Sequence, residues 1–208
     1  MLSFQTALTF FGISLVLGLS PGPDNVFVLM QSATQGRKAG MLVVLGLCTG
    51  LVVHTVAIAF GLAAIFAASA LAFLVLKVLG AAYLAYLAWG AFWAPVSAET
   101  NINANTLRPR QLYLRGVIMN LTNPKVVFFF LAFLPQFVSA ERGSVGLQFI
   151  ALGAIFIAAT IITFGSISYF AATAGQKLRG SATAQRWMNR AAAFVFAGLA
   201  LKLALSQR

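Results

Sequence analysis

Acidic side chains are almost missing from this sequence. The 208 residues include three Asp or Glu, one His and one Cys, against fourteen Lys and Arg. Two of the three carboxylates lie in or near loops, no catalytic constellation is readable, and the donor set is too small for a metal site with ordinary ligand counts. A single Cys48 excludes an intramolecular disulfide. Neither a serine nucleophile elbow nor a phosphate-cradling glycine loop ending in Lys and Ser/Thr is present. An enzyme is therefore not expected, nor a cofactor, nor ATP hydrolysis by this chain. Energy for any work must come from a gradient or from a partner. Charge of either sign is scarce as well, at 8% of residues, where a soluble domain carries about a quarter.

What fills the chain is apolar. Hydrophobic residues make up 61% and the mean hydropathy is +0.93. The apolar residues fall in long runs, which predicts an all-α integral membrane protein rather than a barrel of alternating strands. A formal charge of +11 would suggest nucleic acid in a soluble chain, but no nucleic-acid motif accompanies it. The cations sit instead in short connections and their flanks, as the positive-inside rule produces. The N-terminus lacks the basic start and small-residue cleavage pattern of a signal peptide, so the first apolar run is expected to stay in the protein.

Six apolar segments are readable, at about 4–35, 39–66, 71–93, 112–137, 145–174 and 191–205. A straight span needs about 20 residues, so the first segment is too long. Ser20-Pro21-Gly22-Pro23-Asp24-Asn25 interrupts it. The fourth is interrupted at Asn123-Pro124-Lys125, with Asn120 one turn earlier. Gly46 and Gly50 form a small-xxx-small pattern suited to close helix approach. Tyr83, Tyr86, Trp89 and Trp93 fit an interfacial belt. Phe128, Phe129 and Phe130 read as lipid-facing or packing bulk.

The connections after segments one, three and five hold nine basic residues with their flanks, and the other side holds two. The three basic connections are therefore expected in the cytoplasm, with both termini periplasmic. The chain reads as one unit, 1–208, of two three-span halves (roughly 1–95 and 112–208) joined by a polar linker, 96–111. Three spans is an odd number, so the halves are inverted relative to one another. The first helix of each is interrupted by proline. Paired broken helices in inverted halves point to a secondary transporter with its site near the midplane.

Each break can start a half-helix. Ser20 with Pro21, and Asn123 with Pro124, are favoured cap and first-turn pairs. Half-helix N-termini present unpaired N–H groups and a positive dipole end, which suit a carboxylate. Lys125 adds a cation beside one break and Asp24 an anion beside the other. One pole of each sign fits a zwitterion such as an α-amino acid, with Asn25, Asn120 and Asn123 to orient it. The expected binding set is Ser20, Pro21, Gly22, Pro23, Asp24, Asn25, Asn120, Asn123, Pro124 and Lys125. A structural reading stands beside it, in which Asp24 pairs with Lys125 or Lys77 and holds the bundle together. His54 titrates in the range of a proton relay, although a lone His in a packed helix is more often a hydrogen-bonded core residue. Lys77 is either a partner of Asp24 or part of a pathway.

These stretches resemble a known family. Leu19 to Asn25 followed by Gly36 to Gly40, the segment Lys77 to Leu87, Asn120 to Val126, and Phe133 to Phe137 are similar, in order, to the signatures of the LysE/RhtB exporters, of the homoserine/threonine/leucine efflux type. Thr122 departs from the apolar residue expected there. The resemblance implies a bacterial inner-membrane exporter of amino acids or close derivatives, driven by proton antiport. Its partners would be the solute, protons and the lipid bilayer, with a homo-oligomer left open and no nucleic acid. The rival reading is a membrane-embedded scaffold or assembly subunit whose polar residues serve helix contacts only.

Overall fold

The computed structural model describes residues 2–20, 22–68, 70–93, 107–174 and 182–205. Pro21, the centre of the linker at 96–106, and the basic connection at Lys177 and Arg179 lie outside the described residues. So does the side chain of Lys77. Everything regular among the described residues is helical. The order is α1 (Phe4–Leu19), α2 (Pro23–Gln35), α3 (Arg37–Ala68), α4 (Ala70–Phe92), α5 (Pro109–Thr122), α6 (Pro124–Phe128), a π turn (Phe129–Phe133), a 3-10 turn (Leu134–Phe137), a second 3-10 turn (Ala140–Arg142), α7 (Val145–Ala174) and α8 (Ala182–Leu205).

Among the described residues, Arg37–Gly61 and Val145–Ala171 are each long and apolar enough to cross a membrane. Two further candidates are bent pairs, Phe4–Leu19 with Pro23–Gln35 at 64° and Pro109–Thr122 with Pro124–Phe137 at 49°. Shorter apolar helices run over Val78–Gly90 and Phe196–Leu205. Large apolar side chains face outward, among them Phe60, Trp89 and Phe194. An apolar exterior of that kind belongs in lipid rather than water.

The prolines set the breaks. Pro21 disfavours helical backbone at the residue before it, and Ser20 is extended, closing α1 with its N–H on the Val16 carbonyl. Ser20 is thus a C-cap and not the N-cap expected from sequence. That place is taken by Gly22, because Pro23 occupies the first position of α2. At the second break Asn123 does cap, its side chain accepting from the Lys125 N–H at 3.0 Å, with Pro124 next. Beyond Phe128 the helix loosens into the π turn and then a 3-10 turn around Pro135. Pro135 cannot donate to the α ladder and crowds the preceding turn. Gly36 adopts φ +84° between α2 and α3, a left-handed value that favours glycine. The sixth apolar segment, about 191–205 and able to extend back through Trp187, lies within α8, which starts earlier still, at Ala182.

Close contacts fix the helix directions. A Cβ on Gly46 would strike the backbone at Tyr113 and Gly116, and one on Gly50 would strike the Asn120 side chain. Positions 46 and 50 thus oppose 116 and 120, so α3 and α5 run the same way. α1 and α7 also run the same way, since Phe10 meets Phe156 and Gly18 meets Thr163. α3 and α7 are opposed, since Gly40 meets Ser168 and Thr55 meets Gly153. α4 and α8 are opposed too: Gly80 lies against Leu203, and Leu87 shares a cavity wall with Phe196. Phe129 and Phe130 sit in the centre of the main apolar cluster and face no lipid. A second cluster, around Phe27, Val43, Leu47 and Phe164, binds α2, α3, α5 and α7.

Candidate functional site

The two breaks meet. Asn123 donates its Nδ2 to Asp24 Oδ2 at 2.8 Å. Lys125 Nζ donates to the carbonyls of Leu17 at 3.2 Å and Ser20 at 3.1 Å. Asp24, Asn123 and Lys125 are buried, with 3%, 3% and 7% of their surface exposed. The electrostatics follow from the helix ends. α1 ends at the break with its negative dipole end, and Lys125 binds carbonyls there. α2 begins at the break with its positive end, and Asp24 lies in its first turn. Asp24 sits where the α2 dipole favours it, and the Lys125 ammonium, although its backbone begins α6, reaches the negative end of α1.

The direct ion pair of the structural reading does not form among the described residues. Asp24 and Lys125 are instead tied across the breaks through Asn123 and through the α1 carbonyls. That arrangement leaves capacity unused. Ser20 Oγ, Asp24 Oδ1, Asn25 Oδ1 and Asn120 Oδ1 are buried without a hydrogen-bond partner. Lys125 has three N–H donors and spends two.

A cavity of about 310 Å³ opens at this junction. Its floor is the start of the two half-helices, Gly22 and Pro23 on one side and Asn123, Pro124 and Lys125 on the other. The wall comes from Tyr83, Tyr86, Leu87 and Gly90 on α4 and Phe196 on α8. The volume lies at the small end of the ligand-pocket range, about 300–1,000 Å³. Tyr83 is held by stacking on Phe128, with ring centroids 4.3 Å apart. The belt expected from sequence is therefore divided. Trp89 and Trp93 are exposed on the outside, Tyr83 lines the cavity, and Tyr86 borders the cavity while remaining as exposed as Trp89. Sequence reasoning missed that wall, although Tyr83, Tyr86, Leu87 and Gly90 are spaced three, four and seven apart and so share one helix face.

Of the expected binding residues that the structure describes, Ser20, Asp24, Asn25 and Asn120 are not part of the cavity lining. Asn25 turns back, donating Nδ2 to the Gly18 carbonyl at 2.7 Å. Asn120 faces α3 at Gly50. His54 Nε2 lies 3.4 Å from the Asn120 carbonyl and its ring packs on Phe130. It supports the second break without lining the cavity. Among the described residues no group of three or more His, Cys, Asp or Glu could hold a metal.

The LysE type translocator family matches the chain over residues 15–207. A homoserine/homoserine lactone efflux protein of Salmonella typhimurium is 33% identical over 152 residues, 73% of each chain. The protein of the same name in Salmonella typhi is 32% identical over 161 residues, 77% of this chain and 78% of that one. An uncharacterized membrane protein of Vibrio cholerae is 32% identical over 196 residues, 93% and 94% of the two chains. No solved structure matches. The chain belongs to the LysE type translocator family, and is a membrane transporter rather than an enzyme.

Proposed function

We propose that the protein exports amino acids or close derivatives across the bacterial inner membrane by proton antiport, binding the solute in the cavity between the two breaks. The observation that carries this reading is the meeting of both half-helix N-termini with Lys125 at one cavity, with Asp24 buried behind the lining residue Asn123 and its Oδ1 without a partner. The free donor of Lys125 and the N-terminal N–H groups would take the solute carboxylate. Asp24 would take the ammonium or the coupling proton, and Tyr83 and Tyr86 would close over the side chain. Two relatives are named as homoserine and homoserine lactone efflux proteins, which makes small hydroxylated amino acids the first solutes to test.

The same reading gives six spans in two inverted halves, as single unit 1–208. The helix directions support it. Under exchange of the halves, α3 pairs with α7 and α4 with α8, each antiparallel, as helices related by an axis in the membrane plane must be. Likewise α1 with α7 exchanges with α5 with α3, both parallel. The uneven spread of Lys and Arg supports periplasmic termini.

The test is export of a panel of labelled amino acids from energised vesicles containing the parent, Asp24→Asn or Lys125→Met. The parent should export one class of solute in response to a proton gradient, and both substitutions should abolish it. Full export by both variants would remove the site. A scaffold subunit would give no gradient-dependent flux from any of the three.

A further inference from the structure

A second cavity, of about 370 Å³, lies at the far end of the second broken helix. We propose that it is an exit-side subsite for the exported amino acid, separated from the cavity at the breaks by a plug of phenylalanines. The proposal rests on the export reading above and adds a second station to it.

The lining is polar. Gln5, Thr6 and Thr9 contribute from the first turns of α1, and Gln136, Ser139 and Arg142 from the turns after the π segment. Gln136 donates Nε2 to the Ala132 carbonyl at 3.2 Å. Its Oε1 is buried without a partner. Arg142 shares this lining with the side chains of Thr9 and Ser139; a guanidinium has five N–H donors and can take a solute carboxylate beside another partner, and an unpaired amide oxygen accepts from an ammonium. A zwitterion with a small polar side chain satisfies both. The cavity opens at the α1 N-terminus and the 138–144 connection, the side that the charge distribution assigns to the periplasm.

One continuous stretch, from α6 through the π turn into the first 3-10 turn, carries both cavities. Lys125 lines one and Gln136 the other, roughly 16 Å apart at helical rise. Between them lie Phe10, Phe129, Phe133 and Phe156, each nearly or fully buried. Phe129 packs on Phe133 at 5.1 Å and on Phe156 at 5.2 Å. Phe137 lines the outer cavity and also packs edge-on against Phe10 at 5.1 Å. Phe137 also packs on Phe133 at 5.2 Å, so Phe137, Phe133 and Phe129 form an unbroken contact from the outer cavity into the core. Phe129 and Phe133 open and close the π turn. A π turn returning to α geometry shifts the residues beyond it by about 100° around the helix axis, which would swing rings out of the path.

The experiment uses purified protein with Cys48→Ala and Ser139→Cys, in detergent and in oriented vesicles. Homoserine is the probe and a membrane-impermeant maleimide reads occupancy. Homoserine should slow labelling of Ser139→Cys. Adding Arg142→Gln or Gln136→Leu should raise the homoserine needed for that protection by about tenfold, the effect of one charge-assisted or buried hydrogen bond. In vesicles the same changes should raise the external homoserine that inhibits efflux by a similar factor, and Phe133→Ala should allow homoserine to leak without a gradient. No protection in the parent, or protection unchanged in both Arg142→Gln and Gln136→Leu, would overturn the subsite. Labelling decides this with or without flux, so normal efflux alongside absent protection refutes the subsite alone, and absent efflux counts against the export reading.

Discussion

Asn123 makes two bonds that can be separated. Its Oδ1 caps α6 through the Lys125 N–H, and its Nδ2 reaches across to Asp24. Asn123→Ala removes both. Loss of a cap costs about 1 kcal/mol, and loss of a hydrogen bond to a charged group costs about 1.5–3 kcal/mol. Asp24 is left almost fully buried with neither oxygen partnered among the described residues. A total destabilisation of about 2.5–4 kcal/mol is expected. Asn123→Ser should regain the cap alone, about 1 kcal/mol. Asn123→Asp keeps the cap but sets a second carboxylate against Asp24, and should be no better than Asn123→Ala. The bond itself is isolated by a double-mutant cycle with Asp24→Ala, followed by equilibrium unfolding in mixed micelles. The coupling energy should be about 1.5–3 kcal/mol. A coupling below about 0.5 kcal/mol, the limit for independent sites, would refute the cross-break link.

Other outcomes follow from the same geometry. Gly46→Val should destabilise the protein by at least about 1–3 kcal/mol, because a Cβ there strikes the α5 backbone; unfolding measurements check it. Gly22→Ala should leave stability within about 0.5 kcal/mol yet impair export, because Gly22 is extended and an added Cβ would lie 3.2 Å from Lys125 Nζ. Single cysteines at Arg110 and Arg142 should react with an impermeant maleimide from opposite sides of the membrane, and labelling of both from one side would defeat the span order.

Much of the architecture could be read from the sequence because the bilayer imposes it. Apolar runs had to become helices, and Pro23 and Pro124 had to fall at helix starts, since proline has no N–H to give. The meeting of the breaks was legible from Asp24 and Lys125, two charges that an apolar helix cannot carry unpartnered. How they are satisfied was not. The sequence left two readings open, a pair that neutralises itself and a pair of poles for a solute. The fold gives Lys125 the α1 carbonyls and Asp24 the Asn123 amide, groups that every helix end or Asn can offer and that no pattern flags. The Ser20 cap failed for a local reason: two prolines compete at that step, and only Pro23 leads into the helix. The wall at Tyr83 and Tyr86 was hidden because belt tyrosines and cavity tyrosines share a composition and differ only in helix face. Of the two readings open for Phe128, Phe129 and Phe130, lipid-facing or packing bulk, the fold takes packing for Phe129 and Phe130.

The central claim is that one solute occupies the cavity at the breaks, and equilibrium binding of labelled homoserine to the purified protein tests it most directly. Gly90 lines that cavity with nothing within 4 Å of where a Cβ would lie, so Gly90→Phe should fold normally and fill the space. The parent should bind, Gly90→Phe should not, and Lys125→Met should bind at least about tenfold more weakly. Binding by Gly90→Phe with the parent's affinity would contradict the account.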